Sequence, residues 1–312
     1  MDVIKYEYPG KVNLKNIAVA LGYFDGVHTG HRELISLLVQ KAKERGLSSY
    51  VLTFADNISK TKKTQSVIYN IEEKLEIFAS LGVDGTIIID FDSIKNLSPE
   101  SFVYEVLIDS LGAELAISGY NFRFGKGASA DSKTLAELME ARGKSAVILD
   151  EQKNDGKILS STAIRSLIRD KKLEEATKML GLPYFIEGVV EKGLGLGKVY
   201  GFPTVNTPIR ENSPLSPGVY RTAVEIGGKF HTGVTNVGSC PTVKEREIHA
   251  ETLIADFDGN LYGEKIRIYF LGYLRDEKRF DSVDELREQI YADKRKSIEE
   301  NGDLTWLATG LN

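Results

Sequence analysis

Hydrophobic and polar residues alternate along the first part of the chain with the spacing of strands and helices in turn. Between residues 17 and 118, short apolar runs are separated by amphipathic segments of helical length. This alternation is typical of βα units arranged around a parallel sheet. The apolar runs predict four strands, which are Ile17–Leu21, Tyr50–Phe54, Thr86–Ile89 and Leu115–Ser118.

The amphipathic segments between these runs predict three helices. Gly46 and Gly82 mark the ends of the first two, and Pro99 opens the third. Apolar residues recur at helical spacing on one face of each segment. Those residues are Leu34, Ile35, Leu38 and Ala42 in the first helix, Leu75, Phe78, Ala79 and Leu81 in the second, and Phe102, Val106 and Leu107 in the third.

A further helical segment separates this region from a second pattern. It begins after Ser160-Ser161, runs in two pieces to Leu180 and is closed by Gly181 and Pro183. Beyond it the apolar positions are strand-like, and Gly227-Gly228 predicts a hairpin turn. The predicted strands contain Val189-Val190, Val219–Ile226, Phe230–Val234, Glu251–Asp256 and Lys265–Phe270.

Only the segment from Val283 to about Lys296 again predicts a helix. The expected fold class is therefore α/β plus β. Residues 1–182 should form a Rossmann-like parallel α/β domain, and residues 183–312 an antiparallel β-barrel with a C-terminal helix. Two domains also suit a chain of 312 residues.

Composition narrows the classes of function. The chain is 42% apolar and 27% charged, with a formal net charge of -5 and a pI near 5.6. This balance argues against a nucleic-acid-binding protein, which needs a clustered basic surface. Cys240 is the only cysteine, which excludes an internal disulfide and a zinc site made of cysteines.

The sequence predicts a protein of the reducing cytoplasm. Its longest apolar runs have the length of strands rather than of membrane spans, and its first residues lack a basic segment followed by an apolar run. We therefore expect neither secretion nor contact with a membrane. Self-association is left open.

The turn after the first strand carries the first candidate site. Residues 22–31 read Gly-Tyr-Phe-Asp-Gly-Val-His-Thr-Gly-His and lead into the first helix. Glycines let a phosphate approach the backbone, a helix N-terminus offers unpaired N–H groups, and His28 and His31 add two imidazole donors. Nucleotidyl transfer needs such donors around its non-bridging oxygens. A plain turn with two surface histidines, or a histidine pair holding a metal, would show the same pattern.

Two later segments add to this motif. Residues 119–127 (Gly-Tyr-Asn-Phe-Arg-Phe-Gly-Lys-Gly) follow the fourth strand, and residues 160–165 (Ser-Ser-Thr-Ala-Ile-Arg) open a helix. Residues 28–31 resemble the His-x-Gly-His signature of the nucleotidyltransferase superfamily. In this order and spacing, the three segments resemble the FMN adenylyltransferase module of bacterial bifunctional riboflavin kinase/FAD synthetases. The segment Ala55-Asp56-Asn57 departs from that family, which usually has a loop with proline and histidine there.

The resemblance implies a role for each position of the motif. His28 and His31 would be catalytic, in contact with the ATP phosphates and with the charge that develops during transfer. Asn121 would help to place flavin or nucleotide. The other nucleotide-binding residues that the resemblance implies are Gly22, Phe24, Gly30, Ser161, Thr162 and Arg165.

A second candidate site lies in the C-terminal half. Residues 193–198 are rich in glycine, which suits either a phosphate-binding loop or a flexible connection. Thr204 and Asn206 would project the same way from an extended segment and offer oxygen ligands to a magnesium–nucleotide complex. An ordinary turn would show the same residue types. The candidate phosphate-binding residues of the glycine-rich segment are Gly193, Gly195, Gly197 and Lys198.

Residues 203–206 (Pro-Thr-Val-Asn) resemble the Pro-Thr-Ala-Asn signature of riboflavin kinases, with Val205 in place of alanine. The order of the segments that follow, as far as residues 274–280, also resembles this family. By this resemblance Glu251 is the catalytic base. Leu253 departs from the family, which commonly has histidine two residues after the base.

A base is needed because the riboflavin 5′-hydroxyl is a poor nucleophile until its proton is being removed. The resemblance assigns this task to Glu251. The remaining implied roles are magnesium binding by Thr204 and Asn206 and flavin binding by Arg275 and Phe280.

The two resemblances together imply an enzyme with two activities. Riboflavin and ATP would give FMN and ADP, and FMN and a second ATP would give FAD and pyrophosphate, both with Mg²⁺. One alternative is a riboflavin kinase whose N-terminal domain is impaired in adenylylation. A second is a non-catalytic flavin-binding sensor, against which Glu251 weighs because a receptor needs no base.

Overall fold

The computed structural model describes residues 1–12, 14–55, 66–151, 153–154, 157–193, 197, 201–239 and 248–309. Cys240 therefore lies outside the described residues. The chain forms two compact units. The first comprises Met1–Gln65 and Tyr69–Ser161, and the second comprises Ser66–Ile68 and Thr162–Asn312.

The first unit contains a parallel sheet and two short hairpins. Its strands are β1 (Asp2–Tyr6), β2 (Ile17–Leu21), β3 (Ser48–Phe54), β4 (Gly85–Ile89), β5 (Ala113–Gly119), β6 (Arg123–Phe124), β7 (Ala130–Asp131), β8 (Ser145–Leu149), β9 (Lys153–Asn154) and β10 (Lys157–Ile158). Six of them form one sheet in the order β1-β4-β3-β2-β5-β8, with every pair parallel. The four predicted strands are confirmed as β2 to β5, whereas the sequence pattern did not predict β1 and β8.

Helices accompany the strands of this sheet. They are α1 (Thr29–Arg45), α2 (Ile71–Ser80), α3 (Phe91–Ile94), α4 (Pro99–Ser101, continued as a π-helix over Phe102–Ser110) and α5 (Ser132–Ala141). The predicted apolar faces of α1 and α4 are confirmed, because all their predicted residues are buried. In α2 the predicted face is partly wrong. Ala79 is exposed, and the buried residues include two charged ones, Glu73 and Lys74, which a hydrophobic pattern cannot indicate.

The order of strands in the sheet switches sides at β2, although all strands stay parallel. The strands β3, β4 and β1 lie on one side of β2, and β5 and β8 lie on the other. Ligands of open parallel sheets bind beside the carboxyl ends of the strands at such a point. The turn after β2 and the segment after β5, both singled out in the sequence, therefore meet at this edge of the sheet.

The second unit is an antiparallel near-barrel. Its strands are β11 (Phe185–Val189), β12 (Thr204–Ile209), β13 (Gly218–Ile226), β14 (Lys229–Ser239), β15 (Ile248–Ile254) and β16 (Lys265–Arg275). They are ordered β11-β16-β13-β14-β15-β12, with every pair antiparallel. The two edges approach each other after β11, where Glu191 N donates a hydrogen bond to Asn206 O at 2.8 Å.

The predicted hairpin and strands of this unit are confirmed with shifted bounds, since β11 ends at Val189 and β15 ends at Ile254. Gly227 and Gly228 connect β13 to β14, and both have positive φ, which glycine adopts most readily. Large aromatic residues fill the interior, where the ring centroids of Tyr220 and Phe270 are 5.4 Å apart. The predicted barrel therefore has a packed core of its own.

Helices with fully described bounds also belong to or border this unit. They are α6 (Ser161–Arg169), α7 (Leu173–Leu180), α8 (Val283–Asn301) and α9 (Trp306–Thr309). Polar bonds attach α8 to the sheet: Ser297 Oγ donates to Gly233 O at 2.8 Å, and Asn301 Nδ2 donates to Thr222 O at 2.9 Å. The predicted C-terminal helix is thus confirmed and is longer than expected.

By compactness, α7 and most of α6 group with the barrel. The predicted domain boundary after residue 182 stays a prediction. Among the helices of the described ranges, none combines the length and the apolar composition that crossing a bilayer requires.

Two candidate active sites

The turn after β2 has a strained backbone. Phe24 adopts φ 54°, in the left-handed region, and Gly26 follows with φ 78°. A Cβ added to Gly22 would lie 2.9 Å from the ring of Phe24, so the turn requires glycine there. Strain of this kind is typical of sites where the backbone serves a ligand.

His28 and His31 are brought together at the start of α1. Their rings are stacked, with centroids 3.6 Å apart and an interplanar angle of 17°. The ring of Phe24 meets His31 edge-on at 5.2 Å. His28 is 7% exposed, so the alternative of a plain turn with two surface histidines does not describe it.

Both imidazoles are held neutral. Burial lowers the pKa of His28 to about 4. The pKa of His31 lies well below its usual value because of burial first, then electrostatic interactions with His28 and Lys74. His28 Nδ1 accepts a hydrogen bond from His31 N at 3.4 Å, which places its proton on Nε2. His28 is therefore a neutral donor at the helix N-terminus.

Lys74 is a residue of this site that the sequence analysis missed. It is completely buried, its Nζ lies 4.6 Å from the ring centroid of Tyr23, and it donates to Tyr23 O at 3.5 Å. Thr53 Oγ1 donates to the same carbonyl at 3.0 Å. Thr53 of β3 and Lys74 of α2 thus both hold the Tyr23 carbonyl of the turn.

The end of β5 contributes polar groups to the same edge. Ser118 is completely buried, and within the described part of the chain its hydroxyl has no hydrogen-bond partner. Asn121 is exposed in the following turn, with Oδ1 3.4 Å from where a Cβ on Gly119 would lie. The role of Asn121 in placing flavin or nucleotide stays a prediction.

Ser161 contacts the turn after β2. Ser161 Oγ donates to Asp25 O at 2.8 Å, within the first unit. Arg165 Nη2 donates to Thr162 Oγ1 at 3.0 Å, and both residues belong to the second unit. Ser161 therefore supports the turn, whereas phosphate binding by Thr162 and Arg165 stays a prediction.

The segment Ala55-Asp56-Asn57, which departs from the family pattern, is described only in part. Ala55 is exposed, and Asp56 and Asn57 lie outside the described residues.

The second unit contains a cavity of about 390 Å³ against one face of the sheet. Six of the predicted site residues line it together. Those residues are Gly197, Thr204, Asn206, Glu251, Arg275 and Phe280. Leu286, Ile290 and Asp293 of α8 line the same cavity. The sequence prediction that these segments form one site is consistent with this arrangement.

The strand register explains why the polar residues converge. Asn206 on β12 and Asn236 on β14 both lie directly opposite Glu251 on β15. Thr204 is two residues before Asn206 and so faces the same side. Its Oγ1 donates to Glu251 Oε1 at 2.8 Å. A hydroxyl, two amides and a carboxylate thus meet within one patch of the cavity.

The glycine-rich segment approaches this patch. A Cβ on Gly193 would lie 2.2 Å from Asn206 Nδ2, and one on Gly197 would lie 2.4 Å from Phe202 O. Both positions therefore require glycine for the observed packing. Gly195 and Lys198 lie outside the described residues.

The lining of the cavity also includes residues that the sequence analysis missed. Asn236 Nδ2 donates to Glu277 Oε1 at 3.2 Å, and Lys278 Nζ lies 4.9 Å from the ring centroid of Phe280. Arg275 is bonded to Asp293. Asp293 could not be identified from the sequence, because its partner is distant along the chain and helix α8 reads as an ordinary amphipathic segment.

The oxygen groups of the patch suit a hard cation. Magnesium prefers oxygen ligands and usually keeps several waters and substrate phosphates, which suits a hydroxyl and an amide better than a closed protein cage. Among the described residues, no group of three or more histidine, cysteine, aspartate or glutamate side chains could hold a metal ion. Thr204 and Asn206 therefore fit a cation that arrives with the nucleotide.

The two halves of the chain match two family models. Residues 11–163 match the FAD synthetase family, and residues 180–300 match the riboflavin kinase family.

Curated relatives match nearly the whole chain. A bifunctional riboflavin kinase/FMN adenylyltransferase of Bacillus subtilis (strain 168) is 33% identical, over 90% of this chain and 91% of the relative. One from Escherichia coli (strain K12) is 34% identical, over 88% of this chain and 90% of the relative. A solved structure described as a macrolide-efflux protein from Streptococcus pneumoniae is 27% identical, with a TM-score of 0.85 over 97% of this chain and 100% of that one. The chain belongs to the family of bifunctional riboflavin kinases/FMN adenylyltransferases.

Proposed function

We propose that the C-terminal cavity phosphorylates riboflavin to FMN and that the turn after β2 adenylylates FMN to FAD. The observation that carries the proposal is the contact between Thr204 and Glu251 inside the cavity, at 2.8 Å. It joins Thr204, a candidate ligand of the magnesium–nucleotide complex, to Glu251, the candidate base. Both reactions use ATP with Mg²⁺ as substrate, and we place them in the cytoplasm.

In the kinase reaction, Glu251 acts as the general base. Its carboxylate takes the proton of the riboflavin 5′-hydroxyl as the oxygen bonds to the γ-phosphorus of ATP, and ADP leaves. Thr204 orients this carboxylate by its hydrogen bond to Oε1. Asn206 and the glycine-rich segment, with Gly193 and Gly197, hold the nucleotide.

The flavin side of the cavity is the part of its wall formed by residues 275–280 and α8. Phe280 offers an apolar face, and Leu286 and Ile290 of α8 extend it. Arg275 belongs to the same wall. Such a mixture of apolar surface with a few polar groups is typical of sites for aromatic ligands.

In the adenylyl transfer, the substrate already supplies an anionic nucleophile. A phosphate oxygen of FMN bonds to the α-phosphorus of ATP, and pyrophosphate leaves, so no base is needed. The task of the protein is to stabilise charge on the phosphate oxygens. His28 and His31 do so as neutral donors, together with backbone N–H groups at the start of α1. Asn121, Ser161, Thr162 and Arg165 place the two substrates.

The two activities divide between residues 1–182 and residues 183–312. The order of the two family matches supports this division. FMN is the product of the second region and the substrate of the first, so both are needed to convert riboflavin to FAD.

Two incubations test the proposal. Purified protein given riboflavin, ATP and Mg²⁺ should form FMN and then FAD, as separated by chromatography over time. Protein given FMN instead of riboflavin should form FAD directly. FMN without FAD would favour the impaired adenylyltransferase, and tight flavin binding without ATP consumption would favour the sensor.

A further inference from the structure

Arg275 and Asp293 form a partly buried ion pair in the wall of the C-terminal cavity, with the Arg275 side chain 22% exposed. Arg275 Nη2 donates to Asp293 Oδ2 at 2.8 Å, and Arg275 Nε donates to Oδ2 at 3.0 Å and to Oδ1 at 3.3 Å. Asp293 is 6% exposed. The pair joins the last residue of β16 to the middle of α8.

Further hydrogen bonds tie both groups to the protein. Arg275 Nη1 donates to the carbonyl of Asp276 at 3.0 Å, and Gln289 Nε2 donates to Asp293 Oδ1 at 2.9 Å. A guanidinium carries its donors in a rigid plane, and a two-point contact with a carboxylate fixes that plane. Most donors of Arg275 are therefore committed to protein acceptors.

The pair also sets the distance between two parts of the cavity wall. One part is the segment that follows β16, with Glu277 and Phe280, and the other is the face of α8 with Leu286 and Ile290. Each part is joined to one member of the pair through its own backbone. The ion pair thus adds a side-chain link between them, beyond the short chain connection through Asp281 and Ser282.

We propose that Arg275 and Asp293 are positioning residues for riboflavin phosphorylation. They hold residues 276–280 and α8 at the separation that the flavin needs, and Arg275 does not itself bind the flavin. This inference rests on the kinase activity proposed for the cavity. Since a pre-formed wall depends on both members equally, loss of either should have the same effect on substrate binding.

A double-mutant cycle in the full-length protein tests the inference. The variants are Arg275→Lys, Asp293→Asn and the two combined, with kcat and KM for riboflavin measured at saturating MgATP. Each single change should raise the KM for riboflavin about tenfold, and the double variant should be no worse than the poorer single one, because the two residues act as a unit. Conversion of FMN to FAD in the same preparations should stay unchanged.

A second ion pair on α8 is the matched control. Lys294 Nζ lies 3.2 Å from Asp256 Oδ1 and also joins the helix to the barrel, but neither residue lines the cavity. Lys294→Ala should leave the KM for riboflavin within about twofold. If the pair variants do not fold, Gln289→Leu removes one bond to Asp293 and should raise the KM by a smaller factor.

Three outcomes would contradict different parts of the account. If Arg275 bound the flavin directly, Arg275→Lys would raise the KM while Asp293→Asn would leave it unchanged or lower it, and the inference would be wrong. A lower Tm without any change in KM would show a purely structural pair and would also overturn it. Failure of the wild-type protein to form FMN would instead remove the proposed kinase activity.

Discussion

Thr204 and Glu251 are joined by a hydrogen bond that runs diagonally across the pair of strands β12 and β15, with Oγ1 2.8 Å from Oε1. Diagonal neighbours on antiparallel strands come within reach only when the register is fixed. The bond gives the carboxylate one orientation in the cavity before any substrate binds. Pre-orientation of this kind is what a general base requires.

Replacing Glu251 with glutamine should abolish most of the kinase activity. The amide has nearly the same shape but cannot accept the proton, so kcat for FMN formation should fall about 10²–10⁴-fold. Chromatographic assay of FMN formation measures this. FMN-to-FAD conversion by the same variant is the internal control, and it should match the wild type. Retention of full kinase activity would exclude Glu251 as the base.

Replacing Thr204 with valine tests whether the hydroxyl orients the base. Valine keeps the shape and removes the hydrogen bond to Glu251, so kcat should fall about tenfold or more. Thr204→Ser keeps the hydroxyl and should retain most of the activity. Full activity of the valine variant, with a loss in the serine variant, would show that the methyl group rather than the hydroxyl matters.

Introducing a side chain at Gly193 should disturb the nucleotide side of the cavity. The new Cβ would lie 2.2 Å from Asn206 Nδ2, so Asn206 must move. We expect Gly193→Ala to lower kcat/KM for MgATP about tenfold, since small displacements of a positioning group are costly. The control is Gly263→Asn, at φ 83° with nothing within 4 Å of an added Cβ. Asparagine tolerates this left-handed conformation, and an equal loss in both variants would contradict the prediction.

Acid should destabilise the turn that carries His28. The folded-state pKa of His28 is about 4, below the usual 6.5, so the unfolded chain takes up the proton first as the pH falls. The stability of the first unit should therefore decrease between pH 6.5 and about 4, by roughly 1.4 kcal/mol for each pH unit at most. Hydrogen exchange of the buried β2 amides at several pH values measures this loss.

The matched variant for this measurement is His28→Asn. His28 is the N-cap of α1, and asparagine is a favourable N-cap that does not titrate. The variant should keep the helix and lose part of the pH dependence. An unchanged pH dependence would mean that His28 does not contribute to it.

The fold was largely predictable because its buried elements have regular periodicity. All four predicted apolar residues of α1 are buried, and β2 is buried along its whole length. The edge strand β1 was missed because it alternates weakly and Val3 is 48% exposed. The Gly227-Gly228 turn was predicted because only a few residue types adopt positive φ at two successive positions.

The candidate sites were predictable as motifs but not as networks. The sequence indicated His28, Thr204 and Glu251 individually. It could not indicate Lys74, since a lysine on an amphipathic helix normally faces solvent and here tertiary packing buries it completely. Nor could it indicate that Arg275 would be bonded to Asp293, because that contact depends on where α8 packs.

The central claim is that two separate sites act in sequence, and a complementation experiment tests it most directly. Riboflavin, ATP and Mg²⁺ are given to His28→Ala, to Glu251→Gln and to an equal mixture of both variants. We expect FMN alone from His28→Ala, neither product from Glu251→Gln, and FAD from the mixture, because FMN made by one protein is adenylylated by the other. Loss of both activities in His28→Ala, or FAD formation by Glu251→Gln alone, would contradict the account.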